Sequence, residues 1–346
     1  MMKVARLVQP RQIILEDAER PFCGKDEVLV HIDAIGICGS DLHFFTDFHL
    51  GNARIEGTRV LGHEICGTVV DFGEDVVGLS KGDRVALDPT RGCGHCKFCR
   101  SGRENLCTTG SPQFLGNAYT DGAMQEYFVS PSSKVFLLPP DCPPERACLL
   151  EPFSVALHAV QRATPAYGES AVVLGSGCIG LMCVLALKEY GVRDITVVDL
   201  VESRLDKAKE LGASLVINGR HEDAVETVLR QTNGAGADLV LETAGSRFTQ
   251  AQSIPMLKKG GTIVLVGMSS DESVALDINT LLRKEGKLIT VFRFTTEFST
   301  AAAQVGRYGT PLEAVVSNKY TLNEVQRAFE ESIAYKEQII KAVITT

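Results

Sequence analysis

Six residues near the middle of the chain, Gly175-Ser176-Gly177-Cys178-Ile179-Gly180, restrict its fold more than any other stretch. Glycines at this spacing are a weak signal alone. Here the apolar, β-branched run Ala171-Val172-Val173-Leu174 precedes them, and residues 179–190 follow with helical length and periodicity. Asp199 then closes the next strand-like run, 19 positions (199 − 180) after Gly180. Strand, glycine turn, helix, strand and terminal acid together form a dinucleotide fingerprint. Gly175 makes the tight turn, Gly177 lets a pyrophosphate approach the backbone, and Gly180 lets the helix pack on the strand. The helix start, at Cys178 and Ile179, offers unpaired N–H groups to phosphates. Asp199 would accept hydrogen bonds from ribose hydroxyls and repel a 2′-phosphate, which favours NAD over NADP. Arg204, five residues on, would lie over the adenine side. The plain alternative is a glycine turn in an ordinary α/β fold.

The same rhythm continues beyond. Helical segments, among them 202–211, separate strand-like runs at 215–217, 237–241, 262–266 and 287–291. Alternating strands and helices predict a parallel sheet with right-handed crossovers. The first 150 or so residues read as mostly β. Apolar runs at 12–15, 28–32, 67–70, 84–87 and 125–129 are punctuated by Gly, Pro and Asp, which predicts a barrel-like or sandwich-like unit. In the tail, Thr321-Leu322-Asn323-Glu324 can start a helix to about Ala334, followed by a strand over 339–344. The expected fold class is α/β: a β-rich domain plus a doubly wound parallel sheet.

Two groups of residues point to metal. Cys38, His63 and Glu64 supply a thiolate, an imidazole and a carboxylate between β-prone runs. That set suits zinc, which accepts S, N and O donors in one tetrahedral site. A site only partly filled by protein leaves a position for water or substrate, and so for chemistry. Read singly, the three are a reduced core cysteine, a satisfied histidine and a surface glutamate. The second group is Cys93-x2-Cys96-x2-Cys99-x7-Cys107, set among Gly92, Gly94 and Gly102. Four thiolates close a tetrahedral shell, so this zinc is structural, and His95 inside the lobe is a solvated loop residue. A nucleic-acid finger is the rival for the lobe in isolation. Glu151, in Leu149-Leu150-Glu151-Pro152 at the junction of the two textures, either starts a helix or completes or backs the Cys38/His63 metal.

Composition narrows the classes. The net charge of −8, with no basic helix near the lobe, argues against nucleic-acid and anionic-membrane binding. The start, Met1-Met2-Lys3-Val4-Ala5-Arg6, has no apolar core of a signal peptide, and no run of about 18 apolar residues occurs. Eleven cysteines without a signal peptide favour metal binding or free thiols over disulfides. The cytoplasm is the expected compartment.

Taken in order, these motifs resemble the zinc-dependent medium-chain alcohol dehydrogenases over essentially the whole length. Gly62-His63-Glu64-x2-Gly67-x5-Gly73-x2-Val76 matches that family's zinc signature without a gap, and Gly82-Asp83-Arg84-Val85, the cysteine lobe and the glycine fingerprint follow in the family's order. The stretch from Gly36 to His43, Leu61-Gly62-His63-Glu64, Glu151-Pro152 and Val291-Phe292-Arg293-Phe294 resemble the polyol branch, that of sorbitol (L-iditol) 2-dehydrogenase and L-idonate 5-dehydrogenase. Gly92-Cys93-Gly94-His95-Cys96 and the run from Phe292 to Phe298 look closest to bacterial L-idonate enzymes. Phe44 stands where sorbitol dehydrogenases commonly have Tyr, and Ala53 where they carry a second aromatic.

The resemblance implies a GroES-like catalytic domain over 1–153 and 293–346, with a structural zinc lobe at about 91–110, and a Rossmann domain over 154–292. It implies two zinc ions per subunit and NAD. The catalytic zinc would sit on Cys38, His63 and Glu64, with Glu151 reaching it through water and Asp41 orienting His63. Ser40 and His43 match the family's proton relay, Arg293 its substrate-side arginine, and Phe114 a pocket residue. The substrate would be a small polyol or sugar acid, and the assembly a homotetramer or dimer. A threonine or simple secondary alcohol dehydrogenase of the same family is the alternative.

Overall fold

The computed structural model describes residues 1–109, 113–269, 271 and 273–346. Gly110, at the edge of the expected zinc lobe, lies outside them. The chain forms two compact units, Met1–Glu151 with Phe298–Thr346, and Pro152–Glu297.

The first unit is built on the strand Glu27–Gly36, whose residues Val28, Val30, Ile32, Ala34 and Ile35 are fully buried. Apolar side chains on both faces place it inside a sheet rather than at an edge. The strands run in the order Val135–Leu137, Arg84–Leu87, Glu64–Phe72, Glu27–Gly36, Lys341–Thr345, Val316–Thr321, and Tyr127–Pro131 also pairs with Glu27–Gly36. All these pairs are antiparallel except Val316–Thr321 with Lys341–Thr345. A three-stranded sheet joins Met2–Gln9 to Gln12–Ala18 and Arg59–Val60. Register matters most at one end of the central strand. There Gly36 pairs with Glu64 on one side and with Val343 on the other. Two residues later Cys38 caps the helix Gly39–Asp47.

The second unit is a six-stranded, wholly parallel sheet in the order Leu215–Asn218, Asp194–Asp199, Ser170–Leu174, Ala237–Glu242, Leu257–Leu265, Lys287–Thr290. The order is third, second, first, fourth, fifth, sixth along the chain. Such a sheet binds ligands beyond the carboxyl ends of its strands, where the order reverses. Its core holds Val172, Leu174, Val240 and Ile263, all essentially buried.

Some boundaries differ from those expected. The run 262–266 is the end of a longer strand, Leu257–Leu265. The run 125–129 shifts to Tyr127–Pro131, because Gln125 makes only an isolated bridge with Val4. Glu151 lies in the first turn of the helix Leu150–Ala163, where the neighbouring Pro152 is tolerated.

Candidate active site

Cys38, His63 and Glu64 present ligand atoms that all lie within 4.8 Å of one another. His63 and Glu64 are buried, and Cys38 is half-buried. The sheet explains the meeting. Glu64 opens a strand beside the end of Glu27–Gly36, so the loop carrying Cys38 is delivered next to it. Among the described residues this group contains three donors and no fourth.

The chemistry of the set fits a divalent cation. Burial, with the Glu64 carboxylate adding to it, pushes the Cys38 thiol up to about 11. Burial raises Asp41 as well. The buried His63 Nδ1 makes no hydrogen bond, and Asp41 Oδ1 stands 3.6 Å from it. Several groups that need positive charge thus face one another, and metal binding to a thiolate and carboxylate answers that need by displacing protons.

Three further residues build this site: Gly36 and Asp41 come from the stretch the sequence already singles out, and Lys341 carries no motif. Lys341, 4% exposed, donates from Nζ to Glu64 Oε1 at 2.7 Å, Glu64 Oε2 at 2.9 Å and the Ile37 carbonyl at 2.9 Å. Gly36 leaves room for that carboxylate: a Cβ there would lie 1.9 Å from Glu64 Oε2. Asp41 accepts the Cys38 N–H at 3.0 Å and the Gly62 N–H at 3.2 Å. Its Oδ1 stands 3.6 Å from His63 Nδ1, beyond hydrogen-bond length, so it faces the ring as a charge while fixing the backbones beside both donors.

Around the donors, Glu151 is buried, and burial pushes its carboxyl up to about 8, with His63 opposing and Glu64 and Cys38 adding to the rise. It is electrostatically in the site yet outside the three-donor group. The Ser40 side chain hydrogen-bonds the Cys38 sulfur and favours its thiolate. His43 is exposed on the same helix, with Nδ1 3.7 Å from Asp47 Oδ2. The buried Phe114 ring packs on His63, centroids 5.2 Å apart and planes at 58°. Arg293 belongs to the second unit. It is half-buried, holds a left-handed φ of 57°, and lies over the Phe292 ring at 4.8 Å. That backbone region is uncommon for a bulky side chain.

Cys93, Cys96, Cys99 and Cys107 form the second group, again within 4.8 Å. The Cys96 N–H points at Cys93 Sγ (3.3 Å) and the Cys99 N–H at Cys96 Sγ (3.5 Å). The bond from Cys99 N–H, with another from Thr108, pulls Cys96 down to about 5. Backbone donors aimed at sulfur stabilise thiolates, and four thiolates hold zinc with no open position. His95 is exposed, its Nδ1 2.8 Å from the Cys93 carbonyl oxygen. All eleven cysteines are free thiols.

In the second unit, Gly175 has φ 99° and Gly177 is the N-cap of the helix Cys178–Glu189. No side chain caps that helix, which leaves the N–H groups of its first turn for an anion. A Cβ on Gly180 would lie 1.9 Å from the Gly175 carbonyl oxygen, so this crossing of helix and turn requires glycine. Ser176 Oγ is buried without a hydrogen-bond partner. Asp199 ends its strand and reaches back: Oδ2 accepts the Ser176 N–H at 2.6 Å, and Oδ1 accepts Leu200 and Val201 N–H at 2.7 and 2.9 Å. Arg204 approaches the turn, 3.9 Å from where a Gly177 Cβ would stand. Ile179 and Cys178 are half-buried in the first helical turn. The structure thus gathers the whole fingerprint at one end of the parallel sheet.

Comparison with known proteins agrees with this architecture. Residues 24–140 match the alcohol dehydrogenase GroES-like domain, and residues 178–307 match the zinc-binding dehydrogenase domain. Sorbitol dehydrogenase of Bacillus subtilis is 35% identical over 99% of this chain and 97% of its own. A crystal structure of an Escherichia coli oxidoreductase of unknown specificity is 36% identical with a TM-score of 0.92, covering 100% of this chain and 99% of that one. L-idonate 5-dehydrogenase of Escherichia coli K-12 is 28% identical with a TM-score of 0.92, covering 100% and 98%. The chain therefore belongs to the zinc-binding medium-chain alcohol dehydrogenase family, in its polyol branch. It is an oxidoreductase acting on CH–OH groups. Among the described residues no helix is long and apolar enough to cross a membrane.

Proposed function

We propose that the protein oxidises a secondary alcohol of a polyol or sugar acid, passing the hydride to NAD and releasing a ketose or keto-acid. The observation that carries this reading is the three-donor set of Cys38, His63 and Glu64, one short of a closed shell, beside a lobe that closes its own shell with four. Cys38, His63 and Glu64 would hold a zinc ion, which would supply Lewis acidity to a hydroxyl placed beside it.

The chain's own groups do the rest. Glu151, raised toward neutrality by burial, holds or yields a proton inside the site. Ser40 and His43 lie three residues apart on one helix, hence on one face, with Ser40 at the Cys38 sulfur and His43 in solvent. They offer a route for the proton outward. Phe114 gives the His63 side an apolar wall. Asp199 selects the ribose hydroxyls of NAD, the uncapped helix start takes its pyrophosphate, and Arg204 covers the adenine side. Arg293 reads distal hydroxyls, or pairs bidentately with a carboxylate. The relatives named for sorbitol and L-idonate support this substrate class.

The test is NADH production by purified, zinc-replete protein against hexitols, pentitols, L-idonate, D-gluconate, L-threonine and 2-propanol. Turnover of L-idonate above sorbitol assigns Arg293 to a carboxylate, and preference for a neutral polyol makes it a hydroxyl reader. Turnover of L-threonine or 2-propanol alone overturns the substrate class.

A further inference from the structure

The four-cysteine lobe and the Cys38/His63/Glu64 site are joined by a short, continuous set of contacts. The lobe leaves the β unit at the strand Thr90–Arg91, which runs directly into Gly92 and then Cys93. That strand pairs antiparallel with Gln113–Phe114, so Thr90 stands opposite Phe114. The Phe114 ring in turn packs on His63 at 5.2 Å. The segment after Phe114 then closes around the residues before His63. Ala123 N–H donates to the Gly62 carbonyl and Met124 N–H to the Leu61 carbonyl, both at 3.0 Å. A Cβ on Gly116 would stand 2.8 Å from Gly62 N, and one on Gly122 would stand 2.3 Å from Gly62 O.

A second tether runs through a lysine. Lys134 Nζ donates to Glu104 Oε2 at 2.8 Å, Thr90 Oγ1 at 2.9 Å and Asp88 Oδ2 at 3.1 Å. Glu104 lies inside the lobe, between Cys99 and Cys107, against Gly92: a Cβ there would meet Glu104 Cγ and Cys99 Sγ at 2.8 Å. Thr90 is also fixed by Asp88 Oδ1, which accepts its N–H at 2.8 Å and its hydroxyl at 2.7 Å.

We propose that the lobe, closed on its own metal, holds the Cys38/His63/Glu64 site in shape, and that Phe114 is the positioning residue through which it does so. The inference rests on the reading above, in which zinc fills both sites. Zinc in the lobe ties Cys93, Cys96 and Cys99 to Cys107, and so fixes Glu104 and the strand Thr90–Arg91. Lys134 and the strand pair fix Phe114. The ring fixes His63, whose own Nδ1 has no hydrogen bond to do so. Opening the lobe frees one end of this set, and the cost appears at the other end as looser metal.

The experiment follows zinc release from the full-length, zinc-loaded chain to a chromogenic chelator, with total zinc by elemental analysis and fold by circular dichroism. Cys38→Ser identifies the phase that belongs to the three-donor site. Phe114→Ala should speed that phase about five- to tenfold, the scale of one lost ring contact, and leave the lobe phase unchanged. Phe114→Tyr should restore it. Lys134→Met should speed both phases, but in the Phe114→Ala background it should no longer affect the three-donor phase. Phe114→Leu and Lys134→Gln serve if the first variants do not fold. A three-donor phase at the wild-type rate without the ring, or a lysine effect that is the same with and without it, overturns the coupling. Wild-type protein with fewer than two zinc ions per chain would instead overturn the metal reading, and the coupling with it.

Discussion

Lysine is rarely buried without a partner, and Lys341 is buried against an equally buried Glu64. Removing one member of such a pair leaves an uncompensated charge, at a cost of about 3 kcal/mol or more. Lys341→Met should therefore lower the denaturant midpoint most in zinc-free protein, where no metal charge compensates Glu64. Equal losses with and without zinc would remove Glu64 from the metal's neighbours. Gly36→Ala acts on the same carboxylate by volume, since its Cβ would fall 1.9 Å from Glu64 Oε2. Its expected result is loss of the zinc at Cys38 with retention of the lobe zinc, read by metal content. Cys38, His63 and Glu64 stand out in the sequence because their chemistry is rare at that spacing. Lys341 does not, and the use of Gly36, which opens the stretch of family resemblance, shows only in the pairings that set it beside both Glu64 and Val343.

Elements were legible where one local pattern decides them. The inner strands Ser170–Leu174 and Ala237–Glu242 carry near-continuous apolar runs, as strands covered on both faces do, and the glycine turn announces the helix that follows. The helix Gly39–Asp47 shows no such pattern. Its sequence GSDLHFFTD holds a glycine and two aspartates, poor helix formers, and its start depends on the Asp41 carboxylate accepting the Cys38 N–H. Two predictions belong to this scale. Gly180→Ala sets a Cβ 1.9 Å from the Gly175 carbonyl oxygen, so the helix must move off the turn. Affinity for NADH should fall at least tenfold by fluorescence titration, while zinc content stays at the wild-type value. The second concerns the start of the helix Glu297–Tyr308. Burial opposes the Glu297 carboxylate, but His158 Nδ1 at 2.9 Å and the Thr295 N–H at 2.7 Å hold it below the ordinary carboxylate value. A depressed carboxylate contributes stability that is full above its unfolded pKa and is lost as pH falls through the folded one. Between about pH 6 and about pH 3, Glu297→Gln should therefore show a shallower fall in unfolding midpoint than the wild type. Parallel slopes would mean that the pair adds nothing pH-dependent.

For the whole molecule, the decisive fact is that one unit is continuous in sequence and the other is not. The Pro152–Glu297 unit owns all six strands of its sheet and the complete glycine fingerprint. The other unit needs both ends of the chain. Lys341–Thr345 is an inner strand there, lying between Glu27–Gly36 and Val316–Thr321. Its first residue supplies the ammonium that faces Glu64, across 277 positions. Local sequence patterns cannot announce such a strand's neighbours, because the pairing is set by closure of the sheet and not by the residues between. The consequence is asymmetric. A fragment of residues 152–297 should fold cooperatively by circular dichroism and bind NADH. A fragment of residues 1–151 should not, since its central strand would lose a partner along Ala34, Ile35 and Gly36 and leave Glu64 buried without Lys341. Adding residues 298–346 in trans should restore zinc at Cys38. If residues 1–151 alone fold and take up that zinc with wild-type affinity, the C-terminal strand is a covering for the site and not a part of it.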